Sequence, residues 1–279
     1  MGIPDSARRA EVNRVVAESR GDDDSGADDR DVHAYVCDTR SINVTQYRSL
    51  ASLLSPDERM RADALWRADD RRDYAAAHAL LRRALALITR QAPERLAFEK
   101  DDSGKPFLRK SRNVPAPPHF SLSHSHDLVG CVISRTCVVG IDVEITSHAI
   151  DAQRLATRYF TVDEAAALGR CAADERLPRF CELWTLKEAL LKAAGIGPDT
   201  AIDSVSFRVD ERQVSLTRTP PGMATDWAFV LRRVGRTHVL AVAAGPRATC
   251  LRVTHIMPEN VLEGSLIPMS AASVPPAGA

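Results

Sequence analysis

Apolar and polar positions along the chain fall into short strand-like runs and longer helical stripes. Val32 to Cys37 reads as a strand, and so do 120–123, 128–134 and 138–145. Leu54-Ser55-Pro56-Asp57-Glu58 reads as a helix start: a serine before a proline, with acids in the first turn. From there to about residue 91 the pattern is helical and alanine-rich, with a break expected near Asp69-Asp70. Leu80, Leu81, Ala84, Leu85 and Ile88 recur at helical spacing and predict a core-facing stripe. Arg82 and Arg83 on that helix read as part of a solvated face. Gly104-Lys105-Pro106 is a turn, and Pro115, Pro117 and Pro118 stiffen a loop.

Helices are expected at about 151–159, 162–170 and 174–194, the last ended by Gly195 and Gly197. Strands follow at about 203–209, 227–234, 237–244 and 249–255. This order predicts an α/β (α+β) protein of two similar halves meeting near residue 146. Residues 31–145 form the first half and 146–261 the second. Six aspartates between Asp22 and Asp31 crowd a leader, 1–30, that repels itself and has little to bury. The Ala/Ser/Pro-rich stretch 262–279 reads as a disordered tail.

Composition adds mostly exclusions. The 279 residues are 44% hydrophobic and 27% charged, with 37 basic and 37 acidic side chains. Global charge therefore draws the protein to neither nucleic acid nor an anionic membrane, and any anion site must be a local cluster. No run approaches the roughly 20 apolar residues of a membrane span, and the first residues lack a signal-peptide core. Six cysteines without a CxxC pair read as reduced thiols in a cytoplasm rather than a zinc site.

Three segments carry chemistry. In Val139-Gly140-Ile141-Asp142-Val143-Glu144, alternation sends Ile141 and Val143 to one face and both carboxylates to the other, their Cα atoms about 6–7 Å apart. Such a pair repels unless a cation sits between; a divalent ion with a taste for oxygen suits it, and a wet edge strand is the plainer reading. On Trp184-Thr185-Leu186-Lys187-Glu188-Ala189-Leu190-Leu191-Lys192, helical spacing puts Trp184, Glu188 and Lys192 on one stripe, with Lys187 one step round. An ordinary surface pair of Glu188 with Lys192 is the alternative. In Phe120-Ser121-Leu122-Ser123-His124-Ser125-His126, serines and histidines at a strand end offer donors to a phosphate.

In this order and spacing the three segments resemble the 4′-phosphopantetheinyl transferases, most closely the larger single-chain group often called Sfp-type. Gly104-Lys105-Pro106 and Leu54-Ser55-Pro56 with its arginine-rich helix add to the resemblance, which covers about residues 32–210. It implies a pseudo-two-fold pair of α/β halves with the site in the cleft between them. It implies transfer of phosphopantetheine from coenzyme A to a serine of an apo acyl or peptidyl carrier protein, with adenosine 3′,5′-bisphosphate released. Asp142, Glu144 and Glu188 are then the ligands of Mg²⁺ (or Mn²⁺). Glu188 is the first choice of base, directly or through water, and Lys192 steadies charge on the diphosphate. Ser123 and His124 receive the 3′-phosphate, and Lys105 and Pro106 lie near the nucleotide. Arg61 and one of Arg71 or Arg72 add positive charge. Lys187 is given a supporting phosphate or structural role, and Glu164 is a secondary acidic position.

Two departures stand out. Glu58 stands where some members carry a basic residue, and His126-Asp127 replace a frequent glycine and arginine. The resemblance also implies a cytoplasmic monomer. The competing readings are a metal-dependent phosphohydrolase using the same acids and a coenzyme A-binding module without catalysis.

Overall fold

The computed structural model describes residues 29–266 except 113, 148–149, 198–201 and 211–212. The leader and tail expectations fall largely outside these residues.

Two sheets lie face to face between two long helices. The first sheet has the order β11-β1-β5-β4. Its strands are β1 (Val32–Asp38), β4 (His119–Ser125), β5 (Leu128–Ser134) and β11 (Leu251–Ile256). The second has the order β6-β10-β9, from β6 (Val139–Ile145), β9 (Ala228–Val234) and β10 (His238–Ala244). Only the β1–β11 pair is parallel; the other neighbours in both sheets are antiparallel.

Period-2 alternation sorts each strand between two cores. On β5, Val129, Cys131 and Ile133 pack with Leu80, Leu81, Ala84 and Leu85 of α3 (Ala68–Thr89). The opposite faces of the strands, including Val32, Ala34, Val36, Val132, Ile141, Val143, Leu240 and Val242, form the layer between the sheets. The far side of the second sheet carries α6 (Ala173–Ala194), through Leu183, Leu186, Leu190 and Leu191. The result is a four-layer α/β/β/α stack.

Smaller elements complete it. α1 (Val44–Ser52), α2 (Pro56–Ala64), α4 (Ala152–Tyr159), α5 (Val162–Gly169) and α7 (Pro258–Glu263) surround the stack. The hairpins β2 (Phe98–Lys100) with β3 (Pro106–Leu108), and β7 (Ser206–Asp210) with β8 (Gln213–Arg218), lie at its edges. Capping boxes start α1 at Asn43, α2 at Ser55 and α5 at Thr161. Gly195 ends α6 in the left-handed conformation the sequence calls for.

Several expectations are corrected. The break expected near Asp69-Asp70 is present, across Leu65 to Arg67, while other expectations change. Helix α1, strands β2, β3 and β8 and helix α7 are additions, and Leu266 is still buried, so packed structure runs past the expected tail boundary at 262. Arg82 is not solvated: it is buried, donates to Glu58 at 2.8 Å and to the carbonyls of Pro93 and Leu96 at 2.7 and 3.0 Å. Arg83 donates to the carbonyls of Val261 and Leu262 on α7, at 3.0 and 2.8 Å. Strand pairing also crosses the expected 145/146 division twice: β6 joins the sheet of β9 and β10, and β11 joins that of β1.

Candidate active site

The two sheets meet where edge strand β4 runs beside edge strand β6, and α6 lies across β6. Gly140 permits this approach. A Cβ there would overlap the Ala189 carbonyl oxygen and stand 2.6 Å from the Ala193 nitrogen, both on α6. With no side chain at 140, the carboxylate face of β6 lies directly against the face of α6 that carries Glu188 and Lys192.

Asp142 is the centre of the contacts. Lys192 Nζ donates to its Oδ1 at 2.5 Å, and Ser123 Oγ donates to the same oxygen at 2.9 Å. Ser123 Oγ in turn accepts from the Val143 backbone N–H at 3.3 Å, which ties β4 to β6. Asp142 Oδ2 is buried and finds no hydrogen-bond partner among the described residues. An orphaned carboxylate oxygen in a protein interior calls for an explanation, and an unrecorded cation is one.

The surroundings are over-supplied with negative charge. Burial pushes the Glu144 carboxyl up to about 7; Asp142 and Glu188 add to this, and Lys192 and a hydrogen bond from Trp184 oppose it. Lys192 is the counterweight: burial works against its charge, but Asp142, Glu188 and Glu144 together raise its pKa above the ordinary lysine value. Three carboxylates and one ammonium thus share a single electrostatic site. No three His, Cys, Asp or Glu side chains among the described residues stand in a ligand-like cluster, and Lys192 holds one of the two Asp142 oxygens. The donor set still fits a hard divalent cation, being all oxygen with one oxygen unpaired.

Trp184 belongs to an aromatic cluster, 5.7 Å centroid to centroid from both Phe180 and Tyr159, so it anchors α6 while reaching Glu144.

A trough opens beside Lys192. A cavity of about 250 Å³ is lined by Gly104, Lys105, Pro106, Ser121, Lys192 and Gly195. It shares Pro106, Phe120 and Leu122 with a cavity of about 530 Å³ bordered by Arg61, His78, Arg95 and Lys100. The fold thus brings Lys192, Lys105, Pro106 and Arg61 to one continuous groove. Lys105 Nζ donates to the carbonyls of Lys192 and Ala193, at 2.5 and 3.1 Å, and so caps the C-terminus of α6. His124 is exposed next to Ser123 on β4.

The other candidates are placed elsewhere. Lys187 is 0% exposed. Its ammonium donates to Glu164 Oε2 at 2.8 Å and to the carbonyls of Ile202 and Val205 at 3.1 and 2.6 Å, with all three donors used inside the protein. Arg71 donates to the carbonyls of Leu65 and Trp66 and locks the α2–α3 link. Arg72 is engaged by Asp69, Asp73, Thr39 and Asp127. Glu164 accepts from the Phe207 backbone N–H at 2.9 Å as well as from Lys187.

Glu58, at the departing position, closes the capping box of α2 and accepts from His78 and Arg82. Burial alone would raise its pKa; those hydrogen bonds, one from the Ser55 backbone and the Arg82 charge outweigh it and pull it to about 2. Reading the sequence by segment missed Asp73, Glu58 and His238 as partners of the site's scaffold. Each acts across more than fifty positions or through a buried pairing, which no local spacing encodes.

The comparisons agree with the geometry. The chain matches the profile of the 4′-phosphopantetheinyl transferase superfamily over residues 138–243, and that of a 4′-phosphopantetheinyl transferase N-terminal region over 42–136. It is 32% identical over 177 residues to the 4′-phosphopantetheinyl transferase HetI of Nostoc sp., covering 63% of this chain and 71% of that protein. Against 4′-phosphopantetheinyl transferase Sfp of Bacillus subtilis the identity is 27%, over 63% of this chain and 76% of that one. Against the L-aminoadipate-semialdehyde dehydrogenase-phosphopantetheinyl transferase of Xenopus laevis it is 26%, over 76% and 75%. The chain belongs to the 4′-phosphopantetheinyl transferase superfamily, and it is a transferase of that class. No helix among the described residues is long and apolar enough to cross a membrane.

Proposed function

We propose that this transferase moves the phosphopantetheine arm of coenzyme A to a serine hydroxyl of an apo acyl or peptidyl carrier protein, releasing adenosine 3′,5′-bisphosphate. The observation that carries the reading is the groove from Arg61 to Lys192, whose ammonium binds Asp142, a carboxylate with one orphaned oxygen and with Glu144 and Glu188 in its electrostatic neighbourhood. Its cationic wall suits the nucleotide phosphates, and its acidic end suits a metal-bound diphosphate.

Asp142, Glu144 and Glu188 would hold Mg²⁺, which when bound neutralises the diphosphate and makes the phosphorus a better electrophile. The remaining roles fall to the chain's own groups. Glu188 accepts the proton as the serine oxygen forms its bond to phosphorus, and the bond from that phosphorus to the departing bisphosphate oxygen breaks. Lys192, the one ammonium among these acids, turns from Asp142 to the departing oxygen and stabilises its charge. His124 faces the 3′-phosphate of the nucleotide from the α3 side of β4, Ser123 beside it holds Asp142, and Lys105 and Arg61 line the nucleotide's path. Because one chain holds both sheets and both long helices, a second subunit is not needed to build the groove, and we expect a monomer acting in the cytoplasm. The two 22-residue helices on opposite sheets are the basis for expecting a pseudo-two-fold relation between the halves.

The test is direct. Incubation with coenzyme A, Mg²⁺ and a panel of apo carrier proteins is expected to add one phosphopantetheine mass to at least one carrier. Asp142→Ala and Glu188→Ala are expected to abolish the gain while the far-ultraviolet spectrum is kept. Full turnover in either variant removes the metal assignment. Release of nucleotide without a carrier favours a phosphohydrolase, and coenzyme A binding with no transfer favours a binding module.

A further inference from the structure

The turn between β4 and β5 is built without glycine. His126 and Asp127 both have positive φ, 38° and 67°. Two consecutive left-handed residues make the tight hairpin turn that Asn-Gly adopts most readily. Neither position here is glycine; histidine and aspartate enter the left-handed region more readily than most side chains but less readily than glycine, so contacts from outside can decide how firmly the turn is held.

Three elements hold it. Asp73 on α3 is buried, and its Oδ2 accepts the Asp127 backbone N–H at 3.0 Å. Its Oδ1 accepts the Thr39 hydroxyl at 2.5 Å, and the Thr39 N–H donates to the Asp127 carbonyl at 2.8 Å. Arg72, next along α3, donates to the Asp127 carboxylate and to Asp73. From the opposite sheet, His238 Nε2 lies 3.0 Å from the Ser125 carbonyl and 2.7 Å from that of His126. Carbonyls only accept, so this nitrogen carries the proton and donates to both. The clamp therefore reaches α3, the loop after β1 and β10, and it grips the turn directly after Ser123 and His124.

We infer that Asp73, with Arg72 and His238, is a positioning device that holds the His126–Asp127 turn and thereby aims His124, the exposed neighbour of Ser123, at the anionic end of the donor substrate. The inference rests on the coenzyme A reading above and assigns Arg72 an indirect role rather than a phosphate contact. It also bears on the departure at 127: an aspartate there accepts from Arg72, which the arginine frequent at that place would not.

The experiment compares Asp73→Ala in two backgrounds, the natural turn and the double variant His126→Asn with Asp127→Gly, whose turn forms unaided. In the natural turn the KM for coenzyme A rises about tenfold, with the KM for the carrier and kcat little changed. In the Asn-Gly background the same substitution leaves the coenzyme A KM within about twofold of its parent. A purely structural role lowers the melting temperature alike in both backgrounds and spares this split. An unchanged coenzyme A KM in the natural turn, or an equal rise in both, overturns the assignment. If Asp73→Ala does not fold, His238→Ala is read in the same two backgrounds with the same criteria. Wild-type protein that neither binds coenzyme A nor transfers from it sinks the coenzyme A reading itself, an outcome visible before any variant is made. The clamp then stands or falls on amide exchange at Asp127, which must speed up in Asp73→Ala.

Discussion

Lys187 and Lys192 stand little more than a turn apart on α6 and meet opposite fates. Lys187 is enclosed, with its ammonium 2.8 Å from Glu164 and 4.8 Å from the Phe160 ring centroid. Removing one member of a buried ion pair leaves the other charge stranded, at roughly 3–5 kcal/mol. Lys187→Ala is therefore expected to lower the melting temperature sharply. Lys192 is half-buried and faces the groove. Lys192→Ala should fold, bind coenzyme A more weakly and lose transfer by about 10²–10³-fold, the scale of one charge-stabilising donor. Thermal melts and single-turnover assays separate the two; a stable, inactive Lys187→Ala beside a destabilised Lys192→Ala would reverse the roles. The sequence makes the stripe of Trp184, Glu188 and Lys192 legible, because helical spacing alone puts them on one face. It does not distinguish the two lysines, because what buries Lys187 is a carboxylate on α5 and two carbonyls beyond α6.

Among the elements, α6 and β6 depend most on each other, and Gly140 is the reason they can touch. Gly140→Ala forces a methyl into the α6 backbone, so the helix must lift or β6 must shift. Because Glu188 and Lys192 ride on that helix and Asp142 on that strand, transfer should fall further than the melting temperature suggests. A variant with normal kcat would show that their spacing is not critical. In the other half, α2 is pinned to α3 through Glu58. Its folded pKa of about 2 lies below the ordinary 4.5, so its carboxylate stabilises the fold above about pH 4.5, and that contribution drains away as pH falls toward 2. The difference amounts to about 3 kcal/mol. Denaturant melts across this range should show Glu58→Gln less stable at pH 7 and flatter toward acid. Had Glu58 been a solvated first-turn acid, the two acid limbs would coincide. The Ser-Pro helix start was readable from local rules, whereas its partners His78 and Arg82 lie a helix away, so the sequence suggested a solvated arginine where the fold has a buried one.

At the scale of the whole molecule, the chain order disguises how the layers are tied. Alternation makes the strands of the two main sheets legible and misses the short hairpin strands β2, β3 and β8, and pairing is a long-range choice that periodicity does not encode. Hence the natural-looking division at 145/146 separates elements that belong together. β6 pairs along its full length with β10, from Val139 opposite Ala244 to Ile145 opposite His238. β11 returns to pair with β1, from Val32 opposite Leu251 to Cys37 opposite Ile256. α7 follows it onto α1 and α3, where Glu259 accepts from Gln46 at 2.9 Å and two α7 carbonyls accept from Arg83. A fragment ending at 145 therefore keeps β6 without a partner strand, leaves one edge of β1 unpaired, and exposes the apolar layer of Ile141, Val143 and Val36 to water. Neither 29–145 nor 146–266 should fold alone. Each should lack a cooperative thermal transition and show poorly dispersed amide resonances, while mixing them from denaturant should restore the dispersed spectrum of the intact chain. A sharp, reversible melt from the isolated 29–145 piece would mean that the first sheet stands without β11, and that the two sheets are separate units joined in sequence rather than one interlocked core.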